Sequence, residues 1–93
     1  MTYMSGKIDP EILELNLILI YLNGWQEDSR REPGGKVLRG WKGYPFDILN
    51  ELEKYNLVRQ YDHSVVVTKE GISRAEWLLQ KYFDPQKIKL KMP

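Results

Sequence analysis

The sequence predicts a small α+β domain of three main helices and one two-stranded β-hairpin, and three stretches carry that prediction. "DPEILELNLILIYLNG" opens on helix-capping residues and stays apolar for two turns and more. "LVRQYDHSVVVT" alternates apolar and polar residues, turns, and returns as a β-branched run. "TKEG" then leads with no linker into another helical pattern. A chain of 93 residues, 42% hydrophobic and 29% charged, has the make-up of a globular protein and the length for one modest core. One domain is expected over residues 1–93, with its core at about 9–83, a long basic loop over 25–40 and a basic tail over 84–93.

In the first helix Asp9 serves as N-cap, Pro10 fits the first helical position, and Glu11 complements the positive end of the dipole. Two stripes follow at helical spacing, Ile12/Leu15/Leu19/Leu22 and Leu13/Leu17/Ile20 with Tyr21 beside it, before Asn23-Gly24 stops the helix. The helix is therefore apolar nearly all round and asks to be covered on both sides. From Trp25 to Gly40 the helical period vanishes and Pro33-Gly34-Gly35 breaks the chain, so this segment reads as a loop.

A second helix is expected from about Pro45 to Tyr55, with Phe46, Ile48, Leu49 and Leu52 on its inner face. Asn56 stands where the chain must turn through a left-handed residue, which Asn tolerates better than most. Strands at 57–61 and 64–68 then flank Asp62-His63. Thr68 closes the second strand and caps the last helix, while Gly71 lets that helix lie close to the hairpin. Ile72, Ala75, Leu78, Leu79 and Tyr82 form its apolar stripe, and Asp84-Pro85 ends it. The tail "KIKLKM" alternates cation and apolar residue, as a strand with one buried face would.

A helix ending "L-x-x-L-x-x-x-N-L-V", a two-stranded wing and "VVVTKEG" entering a helix resemble a winged-helix domain over about Asp9 to Phe83. More narrowly, "RGWKGYPFDILNELEKYNLV" with "SVVVTKEG" is similar to a small prokaryotic family that carries an Arg-x-Trp-Lys-Gly turn before its second helix. That resemblance implies a fold and no activity. The Trp41-Lys42-Gly43 turn stands where winged-helix DNA binders place a short helix, and Asn56 stands where a glycine is usual.

Several function classes fall away. A formal charge of +1 provides no global field toward nucleic acid or membrane. Without cysteine there is no disulfide, thiolate nucleophile or Cys-based zinc site, which suits a reducing cytoplasm. The apolar run "ILELNLILIYL" is interrupted and too short to span a bilayer, and no signal-peptide pattern is visible. His63 is the one histidine and lies in the expected hairpin tip, "PGGK" lacks P-loop spacing, and Glu51 and Glu53 point to different helical faces. A non-enzymatic, cytoplasmic binding module is expected, with no cofactor, metal or small-molecule substrate.

Two partners are expected for it. Double-stranded DNA would meet Arg30, Arg31, Lys36, Arg39, Lys42 and Arg59, although Asp47, Glu51 and Glu53 outweigh Lys54 on the helix that would enter the groove. A second copy would cover Ile12, Leu15, Leu19 and Leu22, the alternative being that the loop folds over them with Trp25, Val37 and Leu38. Nucleic-acid binding of a regulatory kind is the leading reading, and a homodimerising module that keeps the frame for protein contacts and has lost DNA binding is the alternative. Trp41 is expected to anchor its turn to the core, the alternative being an exposed stacking platform. Arg39 or Lys42 is expected to pair with Asp47.

Overall fold

The computed structural model describes residues 8–29 and 35–83. Its elements are α1 (Pro10–Asn23), β1 (Trp25–Asp28), β2 (Lys36–Trp41), α2 (Phe46–Lys54), β3 (Val58–Gln60), β4 (Ser64–Val67) and α3 (Lys69–Tyr82). The strands form one antiparallel sheet in the order β1-β2-β4-β3. The fold is thus α+β, with three helices and a four-stranded sheet among the described residues where the sequence suggested a two-stranded hairpin.

The extra pair corrects the reading of 25–40 as loop at its two described ends. Trp25 to Asp28 pairs with Lys36 to Arg39, and β2 also pairs with β4, so Lys36 and Arg39 are built into the sheet. Its signal is hidden because Val37 and Leu38 are adjacent apolar residues, which breaks the alternation of a half-buried strand. Both are covered, Leu38 against the main core and Val37 on the opposite face of the sheet.

The core lies between one face of the sheet and the helices. Leu13, Leu17 and Ile20 of α1, Ile48, Leu49 and Leu52 of α2, and Ala75 and Leu78 of α3 meet Val58, Val65 and Val67. In α2 the triad Ile48/Leu49/Leu52 sets the inner face, which turns Phe46 outward to 67% exposure and corrects its expected place in the core. Helices α1 and α3 are also joined by polar contacts: Tyr82 Oη donates to Glu14 Oε1 at 2.6 Å, Tyr21 Oη donates to Glu76 Oε2 at 3.0 Å, and Lys81 pairs with Glu14 at 3.5 Å.

The junction of α2, β4 and α3 is the tightest part of the fold. Asn56 takes φ 62°, the left-handed conformation expected of it. Thr68 Oγ1 donates to the Asn56 carbonyl at 2.7 Å and accepts from the Gly71 amide at 2.9 Å, so one hydroxyl closes the turn and caps α3. The Thr68 amide donates to the Leu57 carbonyl at 3.0 Å. A Cβ at Gly71 would lie 2.0 Å from that same carbonyl oxygen, so no other residue fits without moving backbone.

Two outcomes follow from these contacts. Gly71→Ala should lose about 3 kcal/mol to strain against a gain of about 1 kcal/mol in helix propensity. The net loss of about 2 kcal/mol lowers the melting temperature by roughly 8–16 °C; an unchanged midpoint would show that helix and hairpin can separate freely. The Tyr82 phenol is pushed up to about 12 by its hydrogen bond to the Glu14 carboxylate, with burial and charge adding to it. Because the folded state holds this proton more tightly, the contribution is complete below the ordinary tyrosine pKa of about 10 and is lost as pH rises through about 12. Urea midpoints should therefore fall between those pH values, and Tyr82→Phe should reduce the fall.

Candidate functional site

Sheet register brings the notable side chains together on the face away from the helices. Trp25 pairs with Arg39, Arg39 with Val66 and Val66 with Arg59, so these four form a row across all strands. Trp41 pairs with Ser64, and the Tyr61 amide donates to the Ser64 carbonyl at 2.8 Å, which places Trp41, Ser64 and Tyr61 in a neighbouring row on the same face. The rings of Trp25 and Trp41, diagonal neighbours on adjacent strands, lie 5.3 Å apart at 57°.

Glu27 organises the first row. One carboxylate oxygen accepts from Trp25 Nε1 at 2.6 Å, and the other accepts from Arg39 Nε at 2.8 Å. The Trp25 hydrogen bond is the main reason that the Glu27 carboxyl is held below its usual range; partial burial opposes this, and the hydrogen bond and charge of Arg39 add to it. Arg39 continues across the sheet, donating from Nη1 to Ser64 Oγ at 2.7 Å while its guanidinium lies 5.5 Å from the centre of the Tyr61 ring. Lys42 Nζ donates to the Tyr61 carbonyl at 2.7 Å and lies 5.6 Å from the Phe46 ring.

The residues expected at DNA are thus placed unevenly. Arg39 and Arg59 share one face of the sheet, flanking buried Val66. Lys36 is at the start of β2, paired with Asp28 at 3.4 Å in an exposed contact of little energetic weight. Arg30, Arg31 and the tail lysines Lys87, Lys89 and Lys91 lie outside the described residues. The expected pairing with Asp47 does not form: Arg39 goes to Glu27, Lys42 goes to the Tyr61 carbonyl, and Asp47 caps the Ile48 amide at 2.9 Å. On α2, Asn50 and Glu53 are both engaged by the Gln60 amide at 2.8 Å.

Trp41 overturns the anchor reading. It is 71% exposed, resting on Trp25 instead of entering the core. The reason is parity: Gly40 is the buried residue of that strand segment, so its neighbour must face out. Glu27, Ser64 and Tyr61 carry no site signal of their own in the sequence, and Trp25 reads there only as a cover for the α1 stripe. The i, i+2 spacing of Trp25/Glu27 and of Arg39/Trp41 was the signal, visible only once both segments are seen as strands.

A second surface is the outer stripe of α1. Ile12, Leu15, Leu19 and Leu22 are 38%, 40%, 48% and 57% exposed, whereas Leu13, Leu17 and Ile20 are buried. The residues that would cover them in the alternative reading lie elsewhere, Leu38 against the core and Trp25 and Val37 on the outward face of the sheet. Among the described residues no group of three or more His, Cys, Asp or Glu side chains could hold a metal ion, and no helix is long and apolar enough to cross a membrane. His63 is exposed at the β3–β4 turn.

Residues 8–85 match the family model of a domain of unknown function, DUF6429. The chain belongs to that family. No curated protein and no solved structure matches it. In this DUF6429 chain the Glu27 clasp is open to direct observation. The indole N–H resonance of Trp25 should titrate with acid at a midpoint below the ordinary glutamate range of about 4.3, since the folded state favours the carboxylate. Glu27→Gln should remove that titration, and a midpoint at or above the ordinary range would show that the clasp does not persist in solution.

Proposed function

We propose that this DUF6429 chain is a non-enzymatic protein-interaction module on a winged-helix-like frame, working as a homodimer joined through the outer stripe of α1. The frame is supported by element order. A sheet strand precedes α2, the β3–β4 hairpin follows it and pairs back onto that strand, and the Trp41 to Tyr44 turn occupies the place of a short helix. The observation that carries the reading is the stripe itself. Four aliphatic side chains on one helical face remain between 38% and 57% exposed, an uncovered apolar strip of the kind that marks an interface.

A second copy suits this strip because its two ends differ in charge. Glu11 lies at the start of α1 and Asn23 at its end, with no basic residue in the last turn. Two copies crossing antiparallel about a twofold axis set Ile12 near the partner's Leu22 and Leu15 near the partner's Leu19, while each acidic end meets an uncharged one. A parallel crossing would oppose the Glu11 carboxylates and align the helix dipoles.

Regulation at duplex DNA is the second reading, favoured by the shared face of Arg39 and Arg59 beside the hairpin. It has less support, because Lys36 and Arg39 are paired internally and Asp47, Glu51 and Glu53 dominate the charge of α2. Light scattering coupled to size exclusion tests the leading reading. The wild-type chain should have twice the chain mass at high micromolar concentration, and Leu15→Glu/Leu19→Glu should have the mass of one chain with a melt that stays cooperative but no longer depends on protein concentration. A monomeric wild type would overturn it.

A further inference from the structure

We infer that the Trp41/Ser64/Tyr61 row, with Arg39 and Lys42, is a stacking site for an unpaired base of a single-stranded nucleic acid. This rests on the outward face of the sheet and is independent of the α1 stripe. Trp41 presents a tryptophan 71% exposed, yet the ring is held from behind by Trp25, whose indole is in turn fixed by Glu27. A large aromatic surface that is both solvent-facing and pre-oriented loses little conformational freedom on binding. Across the row, Ser64 separates Trp41 from Tyr61, itself 40% exposed. Two strand spacings put the backbones of these aromatics about 10 Å apart over a small floor. Two bases stack about 3.4 Å apart, so a planar ring fits on the open side of Trp41, with the Arg39 guanidinium lying between it and Tyr61.

The local charges select the class of ligand. The faces of Tyr61 and Phe46 are already met by cations of the chain, Arg39 at 5.5 Å and Lys42 at 5.6 Å, and the Glu27 carboxylate is occupied by Trp25 and Arg39. A cationic ligand would meet these two positive charges at the ring faces. Lys42 makes its hydrogen bond to a carbonyl and, among the described residues, is paired with no carboxylate, so its charge is available to a phosphate. A planar, anionic ligand fits both features. Duplex DNA fits them less well, because paired bases hide the faces that Trp41 would stack on, and the acidic α2 lies close by, joined to this corner through Phe46.

The test uses the full chain and a fluorescein-labelled thymidine or uridine oligonucleotide of about a dozen residues, within the span that such platforms bind. Anisotropy should show binding that tightens as salt falls, and a duplex of the same length should bind more weakly. Trp41→Ala should weaken single-strand binding by about 5- to 150-fold, the loss that one stacked base costs on alanine substitution, whereas Trp41→Phe should keep most of it. Lys42→Gln should reduce the salt slope by about 0.7, the value of one phosphate contact on a single strand. Circular dichroism controls for folding, which exposed Trp41 should not disturb. Absence of single-strand binding at low salt, equal affinity in folded Trp41→Ala, or tighter binding to the duplex would each overturn the site. Because Leu15→Glu/Leu19→Glu leaves the row intact, one copy should still bind.

Discussion

The position of every element after α2 depends on one hydroxyl and one missing side chain. Thr68 Oγ1 gives its proton to the Asn56 carbonyl and takes one from the Gly71 amide, while the Leu57 carbonyl sits where a Gly71 side chain would be. These contacts join the end of α2, the start of β3, the end of β4 and the first turn of α3 within a few ångströms. Their directionality matters more than their individual strength. A hydrogen bond of this kind contributes about 1 kcal/mol net, but its loss at a site this enclosed would leave a buried polar group unsatisfied. Thr68 is itself buried, so water is poorly placed to substitute.

With that junction set, the two sides of the sheet acquire different tasks. Val65 and Val67 of β4 face the helices and are fully packed, so β4 is pinned between β2 and β3. Strand parity then leaves no choice for the neighbours. If Leu38 and Gly40 face the core, Arg39 and Trp41 must face away, and cross-strand register brings them to Trp25, Ser64 and Tyr61. The outward cluster is a geometric consequence of the core, assembled from segments far apart in the chain. Glu27 makes it a fixed arrangement by holding Trp25 and Arg39 with separate oxygens.

What the sequence disclosed follows the range of the physics involved. Local signals were legible: Asp9 accepts from the Glu11 amide, Asn56 is left-handed, Thr68 caps α3, and the two stripes of α1 divide into buried and exposed as their spacing implied. The β1–β2 hairpin was not, because Trp25-Gln26-Glu27-Asp28 has no β-branched residue and Pro33-Gly34-Gly35 has the signature of a loop. The hairpin exists because β2 completes the edge of β4, a nonlocal pairing that no window around residue 30 contains. Without that pairing Lys36 and Arg39 read as loop cations. The direction of Trp41 is likewise invisible locally, since it is set by its register with Ser64.

The two proposed surfaces point away from one another. The outer stripe of α1 is opposite the face that packs on the sheet, and the Trp41/Ser64/Tyr61 row is on the sheet's far side. A symmetric pair joined through α1 would therefore cover neither row and would present both outward, one on each flank. Two single sites of modest affinity behave differently once linked in this way. A strand long enough to reach both would bind the second at the effective concentration set by its own length, and one too short would gain nothing. Self-association and stacking are then separable in their residues yet coupled in their effect, with the length of the nucleic acid as the variable that connects them.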